Sequence, residues 1–94
     1  MPYLKVRILT KSTRDVLAQT NRIVFNVIDG SFSFISKDGA TLWRGGITKE
    51  TIRILGGKEK LKRYINDIRS GKIRVNVSIQ TLDKLEAALI LSEL

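Results

Sequence analysis

Residues 22–44 read RIVFNVIDGSFSFISKDGATLWR, a segment in which two Asp-Gly pairs separate three runs of alternating apolar residues. Asp-Gly between such runs is a strong hairpin signal, because a two-residue type I′ turn requires a positive φ angle at both of its positions. The segment therefore predicts an antiparallel meander with strands at 22–28, 32–37 and 40–44 and turns at Asp29-Gly30 and Asp38-Gly39.

Two-residue turns also predict the register of the meander, because loop length fixes which residues face each other across a hairpin. The predicted pairs are Val27 with Phe32, Phe25 with Phe34, Phe34 with Trp43 and Ser36 with Thr41. One face of the sheet then carries six core residues: Ile23, Phe25, Val27, Phe32, Phe34 and Trp43. We assign these aromatic residues to the core rather than to a base-stacking platform. The other face is polar and basic, except for Val24, Ile35 and Leu42.

The remaining elements extend this sheet and cover it. Residues 3–10 and 72–79 alternate between apolar and polar side chains and predict two more strands. Helices are predicted at 13–20 (with a loop as the alternative), 49–55, 58–70 and 82–93, where Ser12, Thr48 and Thr81 serve as N-caps and Gly71 follows the third helix. The predicted fold is a single α+β domain over residues 1–94, a mainly antiparallel sheet with helices packed on one face.

Composition argues against catalysis. The chain contains no His and no Cys, so the commonest general base, the thiol nucleophile and thiolate metal sites are excluded. Its acidic residues fall at turns, helix caps and helix surfaces, and no pair has a spacing that favours a metal ion or a shared proton. We therefore predict a protein that is not an enzyme and that uses neither a cofactor nor a metal.

No apolar run is long enough to cross a membrane, and Lys5 and Arg7 interrupt the region where a secretory signal would be apolar. We expect a soluble, cytoplasmic protein without a membrane partner. A chain with no Cys, a single Met, few Gln and abundant Ile is also typical of a thermophilic source.

Positive charge is the main indication of function. Seventeen Lys and Arg residues against nine Asp and Glu give a formal net charge of +8. Such an excess favours a polyanionic partner, and we predict a nucleic-acid-binding protein that contacts mainly phosphates, with DNA favoured over RNA. The predicted binding residues lie on the polar sheet face and on the helix at 58–70: Lys5, Arg7, Arg22, Lys37, Arg44, Lys58, Lys62, Arg63 and Arg74.

Two other interpretations of these cations remain open. Alternating polar residues on a sheet face are also expected where that face only meets water. The helices at 49–55 and 58–70, joined through Gly56-Gly57, also permit a helix-turn-helix arrangement in which the second helix reads bases.

The alternative function is a protein-interaction module, a regulator that docks on a larger assembly through an apolar sheet patch or its C-terminal helix. Apolar residues beyond the needs of the core also suggest a homodimer. The candidate dimer residues are Leu82, Leu85, Leu89 and Leu91 on the helix, or Val24, Ile35 and Leu42 on the sheet.

Overall fold

A computed structural model of the protein describes residues 16–93. Across these residues the elements are α1 (Val16–Gln19), β1 (Thr20–Asn26), β2 (Ser31–Ser36), β3 (Thr41–Gly45), α2 (Lys49–Ile54), α3 (Lys58–Arg69) and α4 (Ile79–Ser92). The predicted strand at 3–10, the first part of the helix at 13–20, and the predicted binding residues Lys5 and Arg7 lie outside the described residues.

The three strands form the predicted meander. They pair antiparallel in the order β1-β2-β3, and the helices pack on this sheet, so the α+β class is confirmed. Residues Ile23, Phe32 and Phe34 on the predicted core face are buried together with residues from all four described helices. The sheet therefore buries the face that its sequence pattern selected.

The first turn is longer than predicted. Phe25 pairs with Phe32 rather than with Phe34, and four residues, 27–30, form the loop. Gly30 has a φ angle of 74°, whereas no residue other than glycine has a positive φ in the described chain, so the type I′ turn is wrong. Instead the Gly30 N–H donates to the Asn26 carbonyl at 2.8 Å, which closes a wider loop.

This register differs from the predicted one by two residues, and an even shift leaves each strand side chain on the face where the pattern put it. Phe25 therefore stays on the core face, where the centroid of its ring lies 4.8 Å from the centroid of the Phe32 ring. Val27 leaves the sheet. Its side chain is 79% exposed and that of Ile28 is 92% exposed, so Val27 is not a core residue.

The second turn is a three-residue loop at 37–39, closed by a 2.8 Å hydrogen bond from the Ser36 N–H to the Ala40 carbonyl. Gly39 occupies the left-handed position at φ 91°, the usual solution for a loop of this length. The pairing of Phe34 with Trp43 is confirmed. The pairing of Ser36 with Thr41 is wrong, because a bulge pairs Ile35 with Thr41 and leaves Leu42 as the extra residue.

Residues 72–79 do not form the predicted strand. The segment runs along the open edge of β1 and makes one parallel bridge, between Arg22 and Asn76. The Ile23 N–H donates to the Asn76 carbonyl at 3.1 Å, and the Asn76 N–H donates to the Asn21 carbonyl at 2.8 Å. The predicted alternation does appear in the packing, because Ile73, Val75 and Val77 lie against the core.

Helix caps shorten this segment from both ends. At its start, the N–H groups of Lys72 and Ile73 donate to the Asp67 carbonyl and complete the end of α3. At its end, the Ser78 hydroxyl accepts from the Thr81 N–H at 3.1 Å, so α4 begins at Ile79 rather than at residue 82. Too few residues remain between the two caps for a ladder of strand hydrogen bonds.

The other helix boundaries follow the sequence closely. Thr48 is the N-cap of α2, as predicted, because its hydroxyl oxygen accepts a 3.2 Å hydrogen bond from the Thr51 N–H. Helix α3 ends at Arg69, with Gly71 just beyond the Ser70 cap. The Arg69 guanidinium then joins α3 to α4 through Asp83 at 2.8 Å and Glu86 at 2.9 Å.

The core predicts the effect of truncating a buried aromatic residue. Phe34 has 0% exposure, so Phe34→Ala leaves a cavity and should lower the free energy of unfolding by about 3–5 kcal/mol. Ile28→Ala, the exposed apolar control, should change it by less than about 0.5 kcal/mol. Urea unfolding monitored by circular dichroism measures both; equal effects would contradict the core assignment.

The first hairpin predicts a dependence of stability on acid. Hydrogen bonds from the Ser31 hydroxyl, at 2.7 Å, and the Ser31 N–H, at 3.0 Å, hold the pKa of Asp29 below its ordinary value of 3.8. Because this carboxyl is more acidic in the folded protein, its stabilisation is present above about pH 4 and is lost as pH falls below that value. The unfolding free energy of Asp29→Asn should therefore decline less steeply below pH 4 than that of the wild type. Parallel declines would refute the contribution of Asp29.

Candidate nucleic-acid interface

Ion pairs separate the predicted binding residues into two groups. In the first group a carboxylate already faces each cation: Arg44 lies 2.9 Å from Asp29, and Lys58 and Lys62 lie 3.9 and 3.5 Å from Glu93. These exposed pairs contribute little to stability. They do offset the positive field that each cation would present to a phosphate, so these three residues are weak candidates.

The second group has no such partner among the described residues. No carboxylate of residues 16–93 lies within 4.0 Å of the charged nitrogens of Arg22, Lys37, Arg63 or Arg74. Lys49, Lys60, Lys72 and Lys84, which the predicted set does not contain, share this property. The strongest cations for a polyanion are therefore the members of this group.

Three of these cations surround one cavity of about 350 Å³, which we call the basic cavity. Lys60 and Arg63 come from α3, and Arg74 comes from the segment that runs along β1. The rest of the lining is mainly apolar or weakly polar: Leu17, Ala18, Thr20, Tyr64, Asp67, Ile73 and Val75. The cavity thus combines positive charge with an apolar interior.

Local structure explains why these residues meet. Lys60, Arg63, Tyr64 and Asp67 are spaced i, i+3, i+4 and i+7, so they form one stripe along α3. The Asn76 hydrogen bonds to β1 hold the extended segment beside Thr20, and this places Arg74 opposite the stripe. The set of binding residues predicted from the sequence omits Lys60. Its place beside Arg74 depends on the tertiary packing of the extended segment against β1, which no local pattern predicts.

The two other predicted cations without a described carboxylate partner, Arg22 and Lys37, lie towards the same end of the sheet. Arg22 bridges to Asn76, two residues beyond Arg74 in the extended segment. Lys37 follows Ser36, which pairs with Thr20 in the lining of the cavity. The Asp29–Arg44 pair belongs to the opposite end of the sheet, where β1 turns into β2. The four predicted cations without a described carboxylate partner therefore lie around the basic cavity or towards the end of the sheet where β1 begins.

Tyr64 lies between the basic cavity and the core. Only 8% of the residue is exposed, and its hydroxyl forms no well-aligned hydrogen bond to the described residues. Burial raises the pKa of Tyr64 to about 12, against a smaller opposing effect of the Thr20 hydroxyl. The hydroxyl is therefore neutral at pH 7 and available only as a donor or an acceptor of hydrogen bonds.

Two basic residues that a helix-turn-helix arrangement would use to read bases are paired with a carboxylate of the same chain. Lys58 and Lys62, at the start of α3, face Glu93 at the end of α4. The first turns of α3 therefore lie against protein on this side, and the free cations Lys60 and Arg63 belong to the basic cavity. A helix whose basic start is partly covered is a poor reader of base edges.

Most of the predicted dimer residues lie in or against the core of one chain. Leu82, Leu85 and Leu89 are buried in the core of one chain, so they are not available for a seam between two chains. On the sheet, Leu42 packs against the core, Ile35 is half-buried and Val24 is 37% exposed. Leu91, at 66% exposure, is the candidate on α4 that remains open to a partner.

Residues 16–93 contain neither a candidate metal site nor a membrane-spanning helix. No three acidic side chains are placed together so that they could hold a metal ion, and none of the described helices has the length and apolar character needed to cross a membrane. Comparison of the whole chain with protein-family models, with curated proteins and with solved structures gives no match.

The burial of Tyr64 predicts an alkaline titration. In Tyr3→Phe, Tyr64 is the remaining tyrosine, and its phenolate absorbance should rise with a midpoint near pH 12. Because the pKa is raised in the folded protein, the associated stability is present below about pH 10 and is lost as pH rises towards 12. A midpoint near pH 10 in protein that circular dichroism shows to be folded would contradict this burial.

Proposed function

We propose that the protein binds nucleic acid without catalysis, through contacts with phosphates, and that it prefers DNA to RNA. The observation that carries the proposal is the convergence of Lys60, Arg63 and Arg74 around one cavity. No described carboxylate lies within 4.0 Å of their charged nitrogens, although Asp67 also lines the cavity. In a chain of net charge +8, such a cluster attracts phosphates and releases their counterions on binding.

The preference for DNA rests on the position of the aromatic residues. Sequence-specific RNA binding relies on exposed aromatic side chains that stack on unpaired bases. Here Phe32 and Phe34 are buried, and Phe25 and Trp43 pack against the core. Cations beside a described sheet whose aromatic residues pack inward are suited to the regular phosphate backbone of a duplex.

Phosphate contact is also the role that suits the length and flexibility of these side chains. The free cations come from a helix, an edge strand and an extended segment, so they form a surface rather than one inserted element. Such a surface contributes affinity with little dependence on base sequence. Arg side chains add bidentate hydrogen bonds to phosphate oxygens.

The competing function is docking to another protein. Ile90 and Leu91 are exposed side by side near the end of α4, and Ile79 is exposed at its start. A homodimer through Leu91 or Val24 would double the basic surface. An interaction module of this kind would bind an acidic or apolar protein and would show no general affinity for nucleic acid at moderate salt.

Charge removal at matched positions tests the proposal. The triple variant Arg22→Gln, Arg63→Gln and Arg74→Gln should lose most of its affinity for duplex DNA. Each phosphate contact contributes about 0.9 to the slope of log K against log salt, so the slope should fall by about 2.7. Fluorescence anisotropy at several salt concentrations, with labelled duplex DNA, single-stranded DNA and RNA, measures both quantities.

The matched control is Arg44→Gln, Lys58→Gln and Lys62→Gln, which also lowers the formal net charge from +8 to +5 but removes the paired cations. Affinity and slope should stay close to those of the wild type. Equal losses in the two variants would show that net charge alone drives binding. No binding by the wild type at low salt would exclude the nucleic-acid function and favour docking to a protein.

A further inference from the structure

The basic cavity is larger than phosphate contacts at a surface require. Its volume of about 350 Å³ lies within the range of roughly 300–1,000 Å³ that is typical of small-molecule sites. A phosphate on the protein surface needs only the tips of Arg and Lys side chains. The cavity in addition has walls from α1, α3 and the segment along β1, so it can contact a ligand from three sides.

The lining indicates a ligand with two unlike parts. Lys60, Arg63 and Arg74 suit an anionic group, and the guanidinium groups match phosphate oxygens in particular. The aliphatic residues Leu17, Ile73 and Val75, together with the Tyr64 ring, suit an apolar or planar body. A phosphorylated ligand with a flat body satisfies both parts.

Asp67 narrows the choice further. Its carboxylate lines the same cavity and accepts hydrogen bonds only, so it repels a second anionic group and attracts N–H donors. A fatty acid has no such donor. A purine or pyrimidine with amino and ring N–H groups offers donors to a carboxylate, and its phosphate suits the three cations.

We propose that the basic cavity binds one phosphorylated nucleotide, either free or as the 5′-phosphorylated end of a DNA strand. This inference rests on the proposed function and specifies the part of nucleic acid that the cavity takes.

The test uses a variant that fills the cavity without changing charge. Ala18 lines the cavity from α1 and is exposed, so Ala18→Phe should occupy the site while the chain keeps its fold. Ala87→Phe makes the same change at an exposed position of α4 that does not line the cavity. Circular dichroism and urea unfolding establish that both variants are folded.

The probes separate the two sources of the nucleotide. 2′-Deoxyguanosine 5′-monophosphate, deoxyguanosine and inorganic phosphate are titrated by calorimetry, and single-stranded DNA with a 5′-phosphate or a 5′-hydroxyl is titrated by anisotropy. Charge-assisted hydrogen bonds to the phosphate should favour the phosphorylated strand by about tenfold or more. Ala18→Phe should abolish that difference, whereas Ala87→Phe should retain it.

Each outcome decides the inference. Preference for the 5′-phosphate that Ala18→Phe removes identifies a strand end as the ligand, and binding of the free nucleotide that Ala18→Phe weakens at least tenfold identifies a free nucleotide. Inorganic phosphate that binds as well as the nucleotide would overturn the inference. DNA binding that depends neither on the strand end nor on Ala18→Phe would also overturn it and would leave the proposed function standing. Absence of binding by every probe would overturn both.

Discussion

Two backbone hydrogen bonds at the edge of β1 determine how the rest of the molecule is arranged. The Asn76 N–H and carbonyl pair with Asn21 and Ile23, and this holds an extended segment against an edge of β1 that none of the described strands covers. From that position the segment buries Val75 and Val77 against the core. The segment ends at Ser78, the N-cap of α4, and it places Arg74 across the basic cavity from α3. The basic cavity therefore exists because a strand edge is covered by a segment from a distant part of the sequence.

The sequence predicted which side chains are buried better than it predicted how the backbone achieves this. The alternation of apolar and polar residues predicted the core face of the sheet. The predicted register of the first hairpin was wrong by two residues, but the core face was still correct because side chains alternate with a period of two. The turn type failed because Asp29 and Asp38 remain at negative φ and only the glycines take the left-handed conformation. The strand predicted at 72–79 did not form because its ends belong to the neighbouring helices. The N–H groups of Lys72 and Ile73 donate to the Asp67 carbonyl in the last turn of α3, and Ser78 is the N-cap of α4. Such local hydrogen bonds compete with a strand ladder that needs a distant partner.

Only part of the candidate site was within reach of sequence analysis. The spacing of Lys60 and Arg63 on one helix face is visible from the chain, but the selection among cations depends on tertiary ion pairs. Glu93 reaches back to Lys58 and Lys62, and Asp29 turns towards Arg44 across the sheet. These ion pairs join residues that are 15 or more positions apart in the sequence, so no local sequence pattern predicts them. A count of basic residues measures the charge of the protein, and the ion pairs decide where that charge is available.

The first hairpin loop has a consequence for the behaviour of the protein in concentrated solution. Val27 and Ile28 protrude at the tip, held there by the hydrogen bond from the Ile28 N–H to the Asn26 side chain. In the free protein, a charge of +8 keeps molecules and their apolar tips apart by mutual repulsion. A polyanion that neutralises this charge removes the repulsion while the tips stay exposed, and proteins near zero net charge associate readily. Under the proposed function, saturation with a polyanion would therefore favour association of the complexes through the exposed side chains of Val27 and Ile28.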